Sequence, residues 1–503
     1  MSIDGLYYKP CSYPKDFITL PFTPPALPPY GGQIYKCERR NLTASGGVPV
    51  MTAGQYLQKT VFEFLDINLS LSHINITLHL DDAVNYNNVA PFGMVCCDYG
   101  TTVNRITVTT FNSGAVNITN WAINVMAFPL PQTGLWSFAN ANTKNTRQSV
   151  IFGTPALPNP PLIKFDYLAP VGQSFNENPI VVGATGLMYF AEDNGALICL
   201  TDNGATASPL WTIATGYTNL VTPTLGTNNT MYAVGDNIIS LVQNINTATP
   251  TTVWTTSVLP LTLPPPPLVY YDIIGDASIY ASGSNGYINA LNGDGSIRWS
   301  ITVGATVVKL ALNFAGTVLY ATRGNTLYAI NTLNGSTNWT RVIANNLSVP
   351  SIGINVGIIY MFAGTNVYAV LDNGATSTLN WTLNTTTIPT RSISIGSNGR
   401  LYLVSSNQML AIEDNGASGT LKWLYNINPA LAPDALTPIT IGLDGTLYTT
   451  GDYALAVCVT DGDTGFVVNW AFQVLLGGYS SPCSIGLNKR IYFGGDHGHI
   501  IAL

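Results

Sequence analysis

Residues 348–383 read SVPSIGINVGIIYMFAGTNVYAVLDNGATSTLNWTL. Four short runs of apolar, aromatic and β-branched residues, at 348–354, 358–363, 367–371 and 378–383, are cut by Gly, Asn and Asp. Such runs predict strands. Branched and aromatic side chains fit a pleated surface, and Gly, Asn and Asp tolerate the dihedrals of tight turns. One such stretch predicts one small four-stranded antiparallel sheet.

The stretch recurs. Trp381 belongs to the series Trp211, Trp254, Trp299, Trp339, Trp381, Trp423 and Trp470, at intervals of 43, 45, 40, 42, 42 and 47 residues. A second series runs in phase: Tyr189, Tyr232, Tyr280, Tyr320, Tyr360, Tyr402, Tyr448 and Tyr492. Each tyrosine lies in a short apolar run, as in Leu319-Tyr320 and Ile359-Tyr360. A third element is a turn, Asp-Asn-Gly-Ala, at 202–205, 372–375 and 414–417, whose Asp stands nine residues before the Trp; Asp461 stands nine before Trp470 in a related Asp-Gly turn. Short strands repeating about every 42 residues predict a β-propeller. No 11-residue window carries a sustained 3.6-residue apolar period, which excludes a helical solenoid.

The two series fix the blade count. Eight tyrosines stand against seven tryptophans, and the last unit, 481–503, ends after three strands. The segment 161–170 aligns with Thr420-Leu-Lys-Trp-Leu-Tyr-Asn and puts Phe165 in the Trp place, 46 residues before Trp211. A strand at 162–168 is therefore expected to complete the eighth blade, joining the two ends of the domain and removing an open sheet edge. The propeller is expected over 161–503.

The run Ala329-Ile-Asn331-Thr-Leu-Asn-Gly335-Ser-Thr-Asn-Trp339 is similar to the repeat Ala-x-Asp-x-x-x-Gly-x-x-x-Trp of the pyrroloquinoline-quinone (PQQ) type propellers, with Asn for Asp. The unit at 290–299 is one residue shorter, and the Asp-Asn-Gly-Ala units are longer. About two-thirds of the chain resembles this eight-bladed family. The resemblance implies that Phe165, Trp211, Trp254, Trp299, Trp339, Trp381, Trp423 and Trp470 dock between neighbouring blades, a packing role suited to a large ring with one donor. The family holds quinone-dependent alcohol dehydrogenases and also non-enzymatic scaffolds of outer-membrane protein assembly, so the fold does not select a function. In the dehydrogenases a vicinal disulfide lies on the quinone, beside calcium and an Asp base. Here Cys96-Cys97 stands in the N-terminal third, and no acidic cluster in the blades resembles calcium ligands. No catalytic, cofactor-binding or metal-ligating residue is assigned, and no cofactor is expected.

The first 130 residues lack the repeat. Residues 1–32 carry seven prolines between Pro10 and Pro29 and read as an extended arm. Alternating runs at 60–65, 74–80, 106–111 and 116–128 predict a β-sandwich over 33–130, jelly-roll-like, with Ile74, Ile76, Leu78 and Leu80 on one face. Residues 131–160, rich in Pro and Asn, read as a linker. The fold class expected is thus all-β: an N-terminal β-sandwich followed by an eight-bladed β-propeller closed by an N-terminal strand.

The 503 residues include 19 Lys+Arg and 26 Asp+Glu, a net charge of −7, and only 9% are charged, against about 25% in an average domain. Without a basic cluster to replace counterions, nucleic acid is not an expected partner. No 18-residue apolar run is present, so no membrane span is expected. No conventional secretory signal is expected either, because residues 1–10 lack a basic and an apolar region.

Seven cysteines without a CxxC pair argue against zinc; a Cys11–Cys37 disulfide is possible on spacing, and buried free thiols are the plainer reading. Asp496-His497-Gly498-His499 is the one compact metal-like group, and it lacks a third ligand. Sequons such as Asn41, Asn75, Asn117 and Asn334 are near chance in so Asn- and Thr-rich a chain. Low charge removes the repulsion that keeps crowded subunits apart. The expected function is a non-enzymatic structural or assembly protein that associates with itself, as a subunit of a virion, fibre or surface layer, with the propeller as scaffold and the N-terminal arm and sandwich as assembly contacts. The alternatives are a quinone-dependent oxidoreductase and a glycan- or ligand-binding propeller.

Overall fold

The computed structural model describes the backbone of eight strands between residues 18 and 129, single residues between 142 and 149, and residues 161–503 apart from short segments, the longest being 169–178, 428–435 and 474–480. The chain divides into two compact units, Met1–Pro131 with Ile273–Gly275, and Gln132–Asp272 with Asp276–Leu503.

In the first unit two four-stranded sheets form. One orders Ile18–Thr19, Cys37–Leu42, Gln55–Phe64 and Arg105–Ser113; the other orders Gln33–Ile34, Trp121–Pro129, Ser72–Leu80 and Val95–Cys97. Both are antiparallel throughout. The face-to-face packing of a sandwich, the jelly-roll reading, the arm at 1–32 apart from Ile18–Thr19, and a Cys11–Cys37 bond lie outside the described residues.

The second unit is an eight-bladed β-propeller. Blades 1 to 7 span 181–214, 224–257, 268–302, 309–342, 351–384, 394–426 and 440–473; each is four antiparallel strands in chain order. Blade 5 is Ser351–Ile352, Ile358–Ala363, Asn366–Asp372 and Ser377–Asn384. Its inner strand is shorter than the run 348–354 because Pro350 has no amide hydrogen to give a ladder. Ser348 replaces that pairing: its amide donates to Phe362 O, and its hydroxyl accepts from Phe362 N. Blade 8 orders Ser484–Ile485, Ile491–Gly494, His499–Ala502 and Phe165–Leu168, so the ring closes with a strand from the far end of the unit. Phe165 pairs with Ala502 and Leu168 with His499; Asp166 meets the His499 ring at 2.8 Å.

The core lies between blades. One buried cluster joins Tyr360, Val367 and Trp381 of blade 5 to Ile395, Leu401 and Ile412 of blade 6; another joins blades 4 and 5 through Trp339, Leu347 and Ile359. Nearer the axis, hydroxyls tie the inner strands of blades 2, 5, 6, 7 and 8 to the next blade. Thr224 donates to Pro267 O (2.7 Å), Ser351 to Ile393 O (2.8 Å) and Thr440 to Cys483 O (2.7 Å). Ser394 and Ser484 do the same to Ile439 O and Ile180 O, the latter closing blade 8 on blade 1. A hydroxyl bonded in this way avoids the desolvation cost that an unpaired buried oxygen would carry.

Candidate functional site

The repeated residues assemble one constellation per blade. Each tyrosine lies on the second strand, opposite a third-strand residue that is itself opposite the fourth-strand Trp: Tyr360–Ala369–Trp381, Tyr402–Ala411–Trp423 and Tyr448–Cys458–Trp470. The middle residue is Ala or Cys in every blade but the second, where it is Leu241. A small middle side chain lets two large rings lean together across it. Tyr and Trp centroids stand 5.9 to 6.3 Å apart in blades 1 to 7, and Phe165 stands 6.2 Å from Tyr492 in blade 8. In all seven Trp-bearing blades the register slips just beyond that middle residue, as at Ala369/Val370. A bulge of this kind re-aims the side chain beside it.

The indoles of blades 1 to 6 then bond to the next blade. Trp211, Trp254 and Trp299 donate through Nε1 to the backbone oxygens of Ile245, Gly293 and Thr332, at 2.7, 3.0 and 2.9 Å. Trp339, Trp381 and Trp423 donate instead to a carboxylate, Oδ1 of Asp372, Asp414 and Asp461, at 2.8, 2.9 and 2.6 Å. The second oxygen of each carboxylate accepts the hydroxyl of the tyrosine paired with that indole: Tyr320 on Asp372 (2.5 Å), Tyr360 on Asp414, and Tyr402 on Asp461 (2.5 Å). The Asp of the turn thus clamps both rings of the preceding blade. The same turn is fixed locally, since Gly374 N and Gly416 N donate to Oδ1 of Asp372 and Asp414. Burial first, and then the carboxylate bond, pushes the Tyr320, Tyr360 and Tyr402 hydroxyls above the ordinary phenol range, so they remain donors.

At the closure Phe165 has no N–H, and Arg490 supplies the missing donor. Its Nη1 lies 2.5 Å from Asp202 Oδ1, while Tyr492 donates to Oδ2 at 2.6 Å. Burial alone would raise the Asp202 carboxyl; the Tyr492 bond, the Gly204 amide and Arg490 outweigh it and hold the group below the usual carboxylate range. Asp461 has the matching arginine as well as an indole: Arg400 Nη1 stands 2.6 Å from its Oδ2.

The glycine of the repeat has a steric reason. Gly335 lies at φ +73°, and a Cβ there would stand 2.9 Å from Trp299 Cδ2 and 3.2 Å from Ile301 Cγ2. Gly335→Ala is expected to cost about 1–3 kcal/mol by adding contact to left-handed strain. Gly324→Ala is the control, with φ +54° and nothing within 4 Å. Urea melts of the two should differ by the docking contact; equal losses would show that the indole does not press on this glycine.

The axis holds a second arrangement. Asn145, Arg147 and Ser149, within the stretch that reads as a linker, are 1%, 3% and 1% exposed. Asn145 Nδ2 donates to Leu310 O (2.8 Å) in the inner strand of blade 4 and to Pro350 O (2.9 Å) just ahead of that of blade 5. Ser149 N donates to Ile441 O (2.7 Å), and Ile441 N to Arg147 O (3.0 Å), a parallel bridge onto the inner strand of blade 7. Polar composition hides this burial from the sequence, because backbone pairing and a side-chain amide do the work that an apolar pattern usually reports. Burial lowers the Arg147 guanidinium to about 9; the Cys483 thiol raises it and Arg391 lowers it.

The thiols of Cys199, Cys458 and Cys483 are buried and pushed up to about 12 by that burial, which makes them poor nucleophiles. Cys96 and Cys97 end the strand Val95–Cys97 of the first unit, and their side chains lie outside the described residues. So does His497, while His499 faces Asp166 in the closing blade. Among the described residues no three His, Cys, Asp or Glu side chains gather as a metal site would require, and no helix is long and apolar enough to cross a membrane.

Eight four-stranded blades repeating at about 42 residues, seven of them with a leaning Tyr–Trp pair, define a PQQ-like repeat propeller. The family model of the outer membrane protein assembly factor BamB matches residues 133–306 and 273–383, and the propeller carries the repeat of that family. The crystal structure of BamB from Moraxella catarrhalis is 13% identical over 68% of this chain and 99% of that one, with a TM-score of 0.49. Sqt1 from Chaetomium thermophilum is 14% identical over 61% of this chain and 87% of that one, with a TM-score of 0.51. The likeness to Sqt1 is one of fold alone. No curated protein matches the chain.

Proposed function

We propose that this protein is a non-enzymatic scaffold that assembles with copies of itself, as a subunit of a filament, surface layer or virion, with the propeller as a rigid body and its outermost strands as contact surfaces. One observation carries this reading. The outermost strands of blades 2 to 8 expose large apolar side chains: Val253, Ile297, Val342, Leu379, Leu421, Val467 and Leu168. Single exposed apolar residues are ordinary. Here they recur on the strand that also presents an unpaired edge, where pairing with another chain costs least. The low charge of the chain offers little repulsion to close approach. The matched family, whose description is that of an assembly factor, supports a scaffold role.

Sedimentation over a range of concentrations and negative-stain images are expected to show ordered association. Val342→Lys with Val467→Lys, at positions 69% and 63% exposed, should weaken it at least about tenfold without moving the melting midpoint. A strictly monomeric protein at high concentration would remove the proposal. Dye-linked oxidation of alcohols or sugars after addition of quinone and calcium would replace it with the oxidoreductase alternative.

A further inference from the structure

We infer that residues 145–149 are a built-in plug that seals the propeller channel, so that any small molecule reaching the inner strands must first displace this segment. The inference does not depend on the scaffold reading. It rests on a segment outside the blade repeat whose described residues bond to three separate blades. Asn145 caps carbonyls at blades 4 and 5 with one side-chain amide, and the backbone at 147–149 adds a parallel bridge to the inner strand of blade 7. Nothing in the repeat requires it, because the ring is already closed by the pairing of Phe165–Leu168 with His499–Ala502.

The fit is complementary in chemistry. Inner strands at a propeller axis present backbone groups that the blade ladders do not use, and a buried carbonyl wants a donor. Asn145 offers two amide hydrogens from one nitrogen and gives both. The plug also carries features that favour release. Asn145 and Arg147 both lie in the left-handed region, at φ 59° and 54°, where a side-chain-bearing residue is strained. The Arg147 guanidinium is taken wholly out of water beside Cys483 and Arg391. A segment strained in its bound form has the character of a displaceable strap.

Two readouts test the plug in the full-length chain. Trypsin should leave the Arg147–Gln148 bond uncut while the propeller is folded, since a protease needs an extended, accessible segment. A small maleimide, with labelled sites read by peptide mass mapping, should spare Cys483, which faces Arg147. Asn145→Ala removes both carbonyl caps, and Ser149→Pro removes the amide that bonds Ile441 O. Each is expected to raise cleavage at Arg147 and labelling of Cys483 by about tenfold or more, while Cys199 and Cys458, buried within blades 1 and 7, stay protected. Near-ultraviolet circular dichroism must show the propeller intact in both variants; the variant that keeps it decides. Wild-type cleavage at Arg147 as fast as in unfolded chain would overturn the plug. So would a folded variant whose Cys483 and Arg147 stay as protected as in the wild type, and so would one that exposes all three thiols together.

Discussion

Asp461→Ala is expected to destabilise the propeller by about 3–5 kcal/mol, the range for breaking a buried ion pair by removing one partner. The Asp461 side chain is 5% exposed and accepts three donors from blade 6: Trp423 Nε1 at 2.6 Å, Tyr402 Oη at 2.5 Å and Arg400 Nη1 at 2.6 Å. Alanine takes this acceptor from an indole N–H, a phenol and a guanidinium at once. Arg400 keeps Glu413 at 3.2 Å and Gly462 O at 3.1 Å, which limits the loss at that donor. Asp414→Ala strips the Trp381 and Tyr360 donors and the Gly416 amide but no guanidinium, and is expected to cost less, about 2–3 kcal/mol. Asp461→Asn should fall between them, because the amide keeps one acceptor oxygen and turns a donor toward the others. Urea unfolding of the three variants checks the order. If Asp461→Ala and Asp414→Ala lose the same amount, the arginine adds nothing and the clamp is only a Tyr–Trp device.

The ring is stitched unevenly, and the sequence shows why. Trp211, Trp254 and Trp299 bond to backbone oxygens, which any residue supplies, so their acceptors leave no mark in the side-chain pattern. Where the acceptor is a carboxylate it recurs visibly, nine residues ahead of the Trp of its own blade. What spacing cannot say is which ring the Asp holds. Asp372 serves Tyr320 and Trp339, both upstream in blade 4, rather than Tyr360 and Trp381 of its own blade. A period assigns each residue to a blade and stays silent on contacts between blades.

Other features were legible to different degrees for equally physical reasons. The eight blades and the closing strand follow from rings that must recur once per sheet, and the pairing of Phe165 with Ala502 follows from the missing eighth Trp. The small residue between the rings is visible only in retrospect, as Ala329, Ala369 and Ala411, because alanine is too common in strands to draw notice. The substitution of Arg490 for an indole donor at Asp202 could have been suspected, since Arg400-Leu401-Tyr402 and Arg490-Ile491-Tyr492 are the same tripeptide in kind. The burial of Asn145, Arg147 and Ser149 could not: these polar residues carry no period, and the acceptors they meet are backbone oxygens, which leave no mark in the sequence.

Truncation after Gly498 is expected to abolish the cooperative fold of the propeller. The strand His499–Ala502 is the third of four in blade 8, between Ile491–Gly494 and Phe165–Leu168, so its loss strands the closing segment and opens two sheet edges. Ile500 and Ile501 are 0% exposed and Leu503 1%. Burying each such side chain contributes about 1.5–3 kcal/mol, so three of them approach 5–9 kcal/mol. The whole stability of a folded domain is about 5–15 kcal/mol. The ladder adds to this, since Lys164 N donates to Ala502 O (2.8 Å) and Leu503 N to Ile491 O (3.0 Å). Phe165 would also lose the opposing residue that seats it beside Tyr492. Heat or urea applied to the truncated chain should give a broad, probe-dependent transition, with aggregation through the opened edges. A sharp transition at the midpoint of the intact protein would mean that the first seven blades hold the ring by their clamps alone, and that the eighth sheet is an ornament on an already stable arc.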